Sequence, residues 1–259
     1  MNKDTSFIAL AAEIKKKREI SGLADELVIN HVKDYLTKEK INLDLMSAYD
    51  KKLIIKEIRS RLRLFNARFQ ASKKNRGKML EENDIKRILE SHSSTKERIP
   101  FYPELKKIIE KLKVKSILDI GCGLNPLALS SPSVKYSACD INEMELSLIN
   151  DFFKKENING KSFYCDITRA DIKTLPSADL CLIFKVLDIL ESKGHRLAEK
   201  IVEEIRCKYL IVSFSTKKLS GKAMNMPKRE WFERILRKHS LNFKIIESNN
   251  EIFYIVTKF

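Results

Sequence analysis

The sequence predicts an α/β chain in which a doubly wound, mostly parallel sheet follows an all-helical N-terminal unit. Three observations point there. After about residue 100, continuous apolar runs alternate with helical stretches, as in parallel strands covered on both faces. Before it, apolar residues recur only at helical spacing. The last two runs, FKIIES and EIFYIVTKF, are joined by the short SNNE turn and are expected to pair antiparallel.

Helices are expected around residues 5–20, 23–38, 42–70 and 79–91, with a loop at Gly77 between the last two. Pro100 and Pro103 bias the chain away from continuous helix. The expected division is therefore a helical unit over 1–100 and a sheet unit over 101–259. Strands are expected in VKSILDIGC, KYSACDI, KSFYCDI, ADLCLIFKVL and YLIVSFS, with a helix through 195–206 before the last of these.

With 259 residues, 43% of them hydrophobic, and only 7 Gly and 6 Pro, the composition is neither disordered nor fibrous. No apolar run approaches the ~18–20 residues of a membrane span. The N-terminal apolar stretch precedes its basic cluster, the reverse of a secretory signal. A cytoplasmic protein is expected. Cys122, Cys139, Cys165, Cys181 and Cys207 contain no C-x-x-C pair, so neither a zinc site nor a disulfide framework is expected.

The net charge of +15 is unevenly spread, and Lys51 to Lys78 holds 11 basic residues against one acid, Glu57. There Leu53, Ile54, Ile58, Leu62, Phe65 and Phe69 form a helical apolar stripe, while Lys52, Lys56, Arg59 and Arg63 stack on another face. Like charges four residues apart repel. A polyanion relieves that repulsion, and released counterions add salt-sensitive binding. This face is expected to contact nucleic acid. A second basic stretch, Lys217 to Lys238, carries 8 basic and 2 acidic residues, and from it Lys217, Lys218, Lys222 and Arg229 are expected to face the same nucleic acid, RNA and DNA being inseparable on charge alone.

The strand ILDIGCG ends in Gly121 and Gly123, at the edge where such sheets bind ligands. Pro126 excludes the dinucleotide fingerprint. Asp140, 19 residues beyond Gly121 at the end of the next strand, can accept both hydroxyls of a ribose. Asp166, ending the third strand, can face an adenine edge. Ile141 and Ile167 behind these acids, and Lys185 after the fourth strand, complete the set. The set suits S-adenosylmethionine better than NAD, because a sulfonium needs no phosphate cradle. The expected fold is thus a Rossmann-like class I S-adenosylmethionine methyltransferase sheet.

The place of an Asn/Asp-Pro-Pro-aromatic loop for amine methylation is occupied by Phe184-Lys185-Val186-Leu187. Cys181 lies mid-strand, away from where an activated nucleophile would sit. A ring nitrogen with a lone pair, such as guanine N7, attacks a methyl directly and mainly needs alignment. No general base and no metal are expected.

HSSTKERI at 92–99, LDIGCGLNPLAL at 118–129, CDI at 139–141, LIFKVL at 182–187 and IVSFSTKKLSGK at 211–222, with Trp231-Phe232, together resemble the aminoglycoside-resistance 16S rRNA (guanine-N7) methyltransferases. The resemblance implies a helical rRNA-recognition domain joined to the catalytic sheet. It implies S-adenosyl-L-methionine as cofactor and 16S rRNA in the assembled 30S subunit as partner, approached by a monomer. It implies that Arg98 reaches the methionine carboxylate; a salt bridge with Glu97 or Glu104 is the alternative. His92 matches, with a structural hydrogen-bonding role also open, and Trp231 either stacks on a base or packs in the core. The sequence departs from the family at Ser215 (where the family has proline), at the loop SGKAMNMPK with its single glycine, and at Val186-Leu187-Asp188. The alternatives are another RNA position, including a ribose 2′-OH that would need Lys185 or Asp188 as base, and a non-catalytic RNA-binding module on the same fold.

Overall fold

A computed structural model describes residues 3–42, 45–65, 75–190, 194–217, 224 and 227–258. Three helices, α1 (Lys3–Lys15), α2 (Asp25–Lys38) and α3 (Ala48–Phe65), come first. Next are α4 (Arg76–Glu81), α5 (Ile85–Glu90), α6 (Ser93–Arg98), a 3-10 turn at Ile99–Phe101 and α7 (Tyr102–Leu112). The strands are β1 (Ser116–Ile120), β2 (Lys135–Asp140), β3 (Gly160–Tyr164), β4 (Ala178–Phe184), β5 (Cys207–Ser215), β6 (Asn242–Glu247) and β7 (Glu251–Thr257). Between them lie α8 (Pro126–Leu129), α9 (Glu143–Lys155), α10 (Leu187–Leu190), α11 (Arg196–Glu204) and α12 (Glu230–Lys238).

All seven expected strands form one sheet in the order β3-β2-β1-β4-β5-β7-β6. The first five pair in parallel, and β7 enters antiparallel between β5 and β6. Helices cover both faces, which explains the unbroken apolar runs. Leu105, Ile149 and Phe153 pack on one face, and Ile201, Phe232 and Leu236 on the other.

The α1–α3 helices enclose a separate core that includes Leu10, Ile14, Val28, Val32, Ile58 and Leu62. The α3 stripe therefore buries Ile54, Ile58 and Leu62, whereas Leu53 is exposed. Phe69 lies outside the described residues. Leu80, Ile88 and Leu89 belong to the sheet's core, so the helices between Arg76 and Arg98, expected in the N-terminal unit, pack with the sheet.

Gly77, expected in a loop, lies in α4, and two further helix boundaries differ from expectation. The stretch expected as one helix over 79–91 is two, because Asn83 turns left-handed (φ 60°) and Asp84 caps α5 by accepting the Arg87 N–H. At the prolines, α6 runs through the 3-10 turn into α7, with Pro103 in its first turn, where a missing N–H costs nothing. No helix among the described residues is long and apolar enough to cross a membrane.

Strand order reverses between β1 and β4, which opens a crevice above their C-terminal ends. The chain turns there through Gly121 (φ +64°), where a Cβ would sit 2.4 Å from Val186 Cγ2. Gly121→Ala is expected to cost about 1–3 kcal/mol in urea unfolding. Gly77→Ala, in α4 with nothing within 4 Å of a Cβ, is expected to gain up to about 1 kcal/mol. Equal effects at the two sites would refute the strain at Gly121.

Candidate functional site

The crevice is an open cleft enclosing about 980 Å³ of space, solvent-open space included. Arg98, Gly121, Gly123, Asp140, Ile141, Asp166, Ile167 and Lys185 all line it. The loops after β1 to β4 bring seven of them together, and α6 supplies Arg98.

Asp140 closes the β1–β2 side. Its carboxylate accepts the N–H of Gly123 (3.0 Å) and of Asn142 (3.0 Å). Burial and repulsion from Glu145 raise its pKa to about 6, against the pull of those N–H donors. Each oxygen has a second lone pair, so the carboxylate can still accept a ligand hydroxyl. Asp166 lies two residues beyond β3 and is steadied by the Thr168 N–H (3.0 Å) and hydroxyl (2.6 Å). Beneath the cleft, Asp119 is fully buried and takes the Tyr136 hydroxyl at 2.8 Å. Burial pushes its pKa up to about 7.

Arg98 is only 2% exposed. Its partner is neither Glu97 nor Glu104 but Glu251 on β7, at 2.7 Å from Nη2 and 3.1 Å from Nε. Asn125 Oδ1 (2.6 Å) and Ser94 Oγ (3.2 Å) accept two more of its N–H groups, and its guanidinium lies over Phe184. Burial works against this charge, but Glu251 reverses the effect and raises the pKa. Glu251 also accepts from Ser213 and lies 3.6 Å from Lys185 Nζ. Lys185, left-handed at φ 59°, bonds Glu97 at 2.7 Å. Buried His92 sits against Gly123, and burial drops its pKa to about 4, so the ring is neutral at pH 7.

Sequence reasoning missed several lining or supporting residues. Leu27 and His31 reach the cleft from α2, and Asn125, Glu145 and Thr168 from the loops and α9. For Glu251 the one signal was an acid heading an otherwise apolar strand. For α2 there was none, since nothing in the chain's periodicity places it over the sheet.

The basic faces need correction. Lys52 and Lys56 are exposed on α3. Arg59 turns inward instead: its guanidinium donates to Glu13 O (2.6 Å) and Ile14 O (3.0 Å), satisfying carbonyls at the end of α1. Arg63 remains exposed but bonds Glu19 at 2.9 Å. Lys217 is exposed, while Lys218 and Lys222 lie outside the described residues. Arg229 is not an available phosphate ligand. It is buried, bonding Asp188 (3.0 Å), Ser215 O (2.9 Å) and Pro227 O (2.8 Å), and so ties the end of β5 to the start of α12. Trp231 stacks on His195 at 3.9 Å and packs against the sheet's core. Cys181 is fully buried in β4.

Two expected outcomes test this geometry. Glu251→Ala leaves Arg98 buried without its counter-charge and is expected to cost about 3–5 kcal/mol in urea unfolding; a loss under ~1 kcal/mol would mean that the pair is not the clamp described. Asp119 has a folded pKa of about 7, against about 3.9 when unfolded. The native state therefore binds the extra proton, and this group's contribution to stability falls as pH rises from about 4 to about 7. Asp119→Asn is expected to flatten that slope, and an unchanged slope would contradict the assignment.

The sequence profile of the ribosomal RNA methyltransferase (FmrO) family matches residues 70–255. A 16S rRNA (guanine(1405)-N(7))-methyltransferase of Serratia marcescens is 31% identical over 191 residues, 69% of this chain and 72% of the relative. One of the same name from Micromonospora rosea is 25% identical over 183 residues, 67% of this chain and 65% of the relative. The crystal structure of the 16S rRNA methyltransferase RmtF in complex with S-adenosyl-L-homocysteine superposes with a TM-score of 0.81 at 24% identity, covering 100% of both chains. That likeness shows a shared fold. Glycine turn, acidic strand ends and sequence match thus agree, and the chain belongs to the ribosomal RNA methyltransferase (FmrO) family.

Proposed function

We propose that the protein transfers a methyl group from S-adenosylmethionine to guanine N7 in the decoding region of 16S rRNA, within the 30S subunit. One observation carries it: the cleft joins a left-handed glycine turn to the carboxylates of Asp140 and Asp166 and to Arg98. These residues fit the cofactor. Asp140 would take the ribose hydroxyls and Asp166 the adenine edge, while Arg98, whose Nε and Nη2 face is held by Glu251, would reach the methionine carboxylate through its remaining Nη1–H. Gly121 and Gly123 let the backbone approach. When bound, the cofactor supplies an electrophilic methyl on a sulfonium.

The state of the basic and acidic groups favours a ring nitrogen over a hydroxyl. Methylating a 2′-OH requires a group that removes its proton. Lys185 is engaged by Glu97 at 2.7 Å, and Asp188 accepts from Arg229 and from the Ser215 N–H (2.8 Å). N7 needs only alignment and exclusion of water. Methylation there removes an acceptor and adds positive charge, which opposes binding of polycationic aminoglycosides.

The exposed lysines suit the partner. Lys52 and Lys56, extended by Arg63 and Lys217, would contact phosphates; Lys218 and Lys222 belong to the same proposal. The 1–100 region would act as the recognition unit, carried chiefly by α1–α3.

Labelled S-adenosylmethionine with purified 30S subunits, 50S subunits and free 16S rRNA tests the reaction. Label in 30S alone, with one borohydride–aniline cut in the decoding region, is expected. Label without that cut would move the target atom, and no label in any fraction would defeat the assignment. Lys52→Glu with Lys56→Glu is expected to weaken 30S methylation and to lower the slope of its salt dependence by about one for each phosphate no longer neutralised. Affinity for S-adenosylhomocysteine should stay at the wild-type value; unchanged 30S activity would remove α3 from the interface.

A further inference from the structure

The N-terminal helices do not stand clear of the cleft. Leu27 and His31, one turn apart on α2, line it beside Ile141, Asp166 and Thr168. Main-chain contacts seat α2 there. The Ala24 N–H donates to Ile141 O at 3.0 Å, and Leu23 and Asn142 form an antiparallel bridge. Ile141 and Tyr164 pack into the α1–α3 core. Farther along α2, Asp34 pairs with Arg169, which lies 3.7 Å from Asp166. Both acidic loops of the cleft are therefore tied to α2. Val28 and Val32 on α2 share a core with Ile58 and Leu62 on α3, the helix that carries Lys52 and Lys56.

We propose that α2 is a wall of the cofactor pocket, with Leu27 and His31 contacting the nucleoside, so that the unit bearing the basic face also sets cofactor affinity. This rests on the cofactor assignment made above. An aliphatic side chain and an imidazole suit the flat, largely apolar face of a nucleobase. Burial lowers the His31 pKa, with Asp166 and Asp34 raising it and Arg169 and Arg61 opposing them, which favours the neutral ring. A pocket closed from two packed units links ligand affinity to the seating of the second unit.

Calorimetric titration of the full chain with S-adenosylhomocysteine tests this. A wild type that does not bind would defeat the cofactor assignment, and with it this inference's premise. Given wild-type binding, His31→Trp intrudes on the pocket and is expected to weaken affinity about tenfold or more, equivalent to ~1.4 kcal/mol. His31→Gln keeps polarity but loses the ring and should weaken it less. Combined with Asp166→Asn, His31→Gln is expected to be non-additive, as for neighbours around one ligand. Melting temperatures near wild type separate a missing wall from a missing fold. Should His31→Trp fail to fold, His31→Gln alone decides. Wild-type affinity in the folded variants, with additive effects in the pair, would overturn the proposal.

Discussion

The buried pair between Arg98 and Glu251 is the interaction on which the rest of the structure depends. The two residues lie 153 positions apart, and neither charge could be buried alone. Each must be in place for the other, so insertion of β7 and completion of the cleft floor are one event. Such a pair is weak evidence of net stability, because desolvation offsets its attraction. Its consequence here is register. Glu251 pairs with Ser215 across the β5–β7 ladder and takes the Ser213 hydroxyl. A slip of one residue would turn that carboxylate to the opposite face and leave Arg98 and Lys185 without it.

The strands were legible because burial on both faces leaves a long apolar run, a signal local in sequence. So were Gly121, Gly123, Asp140 and Asp166, since the ends of consecutive parallel strands meet at one edge whatever fills the sheet. What stayed hidden depends on contacts distant in sequence. The partner of Arg98 is such a case: Glu97 and Glu104 are near in the chain, yet Glu251 meets it only once the sheet has closed. The seat of α2 over the cleft is another, set by a bridge between Leu23 and Asn142 that no periodicity reveals. Helix ends were hidden more locally, as where Asn83 turns left-handed and splits one apolar periodicity into α4 and α5.

The basic segment shows how a count of charges overstates a binding face. Among its described residues, the arginines work inside the chain: Arg59 on the end of α1, Arg61 on Glu57, Arg63 on Glu19 and Arg76 on Glu145. Lys51, Lys52 and Lys56 are left facing solvent. The division follows from the side chains. A planar guanidinium satisfies several fixed acceptors at once, whereas an ammonium is a hydrated point charge on a flexible stem. A lysine face neutralises phosphates and sets position without reading bases. In the proposed complex, α3 would therefore fix where the enzyme sits on folded RNA, and the choice of base would fall to the region around the cleft mouth. There Arg229 joins Asp188 to Ser215 O and Pro227 O, holding together all three places where the sequence departs from its family. In that complex docking and base selection would reside on different units, joined by the contact of α2 with the Asp140 and Asp166 loops.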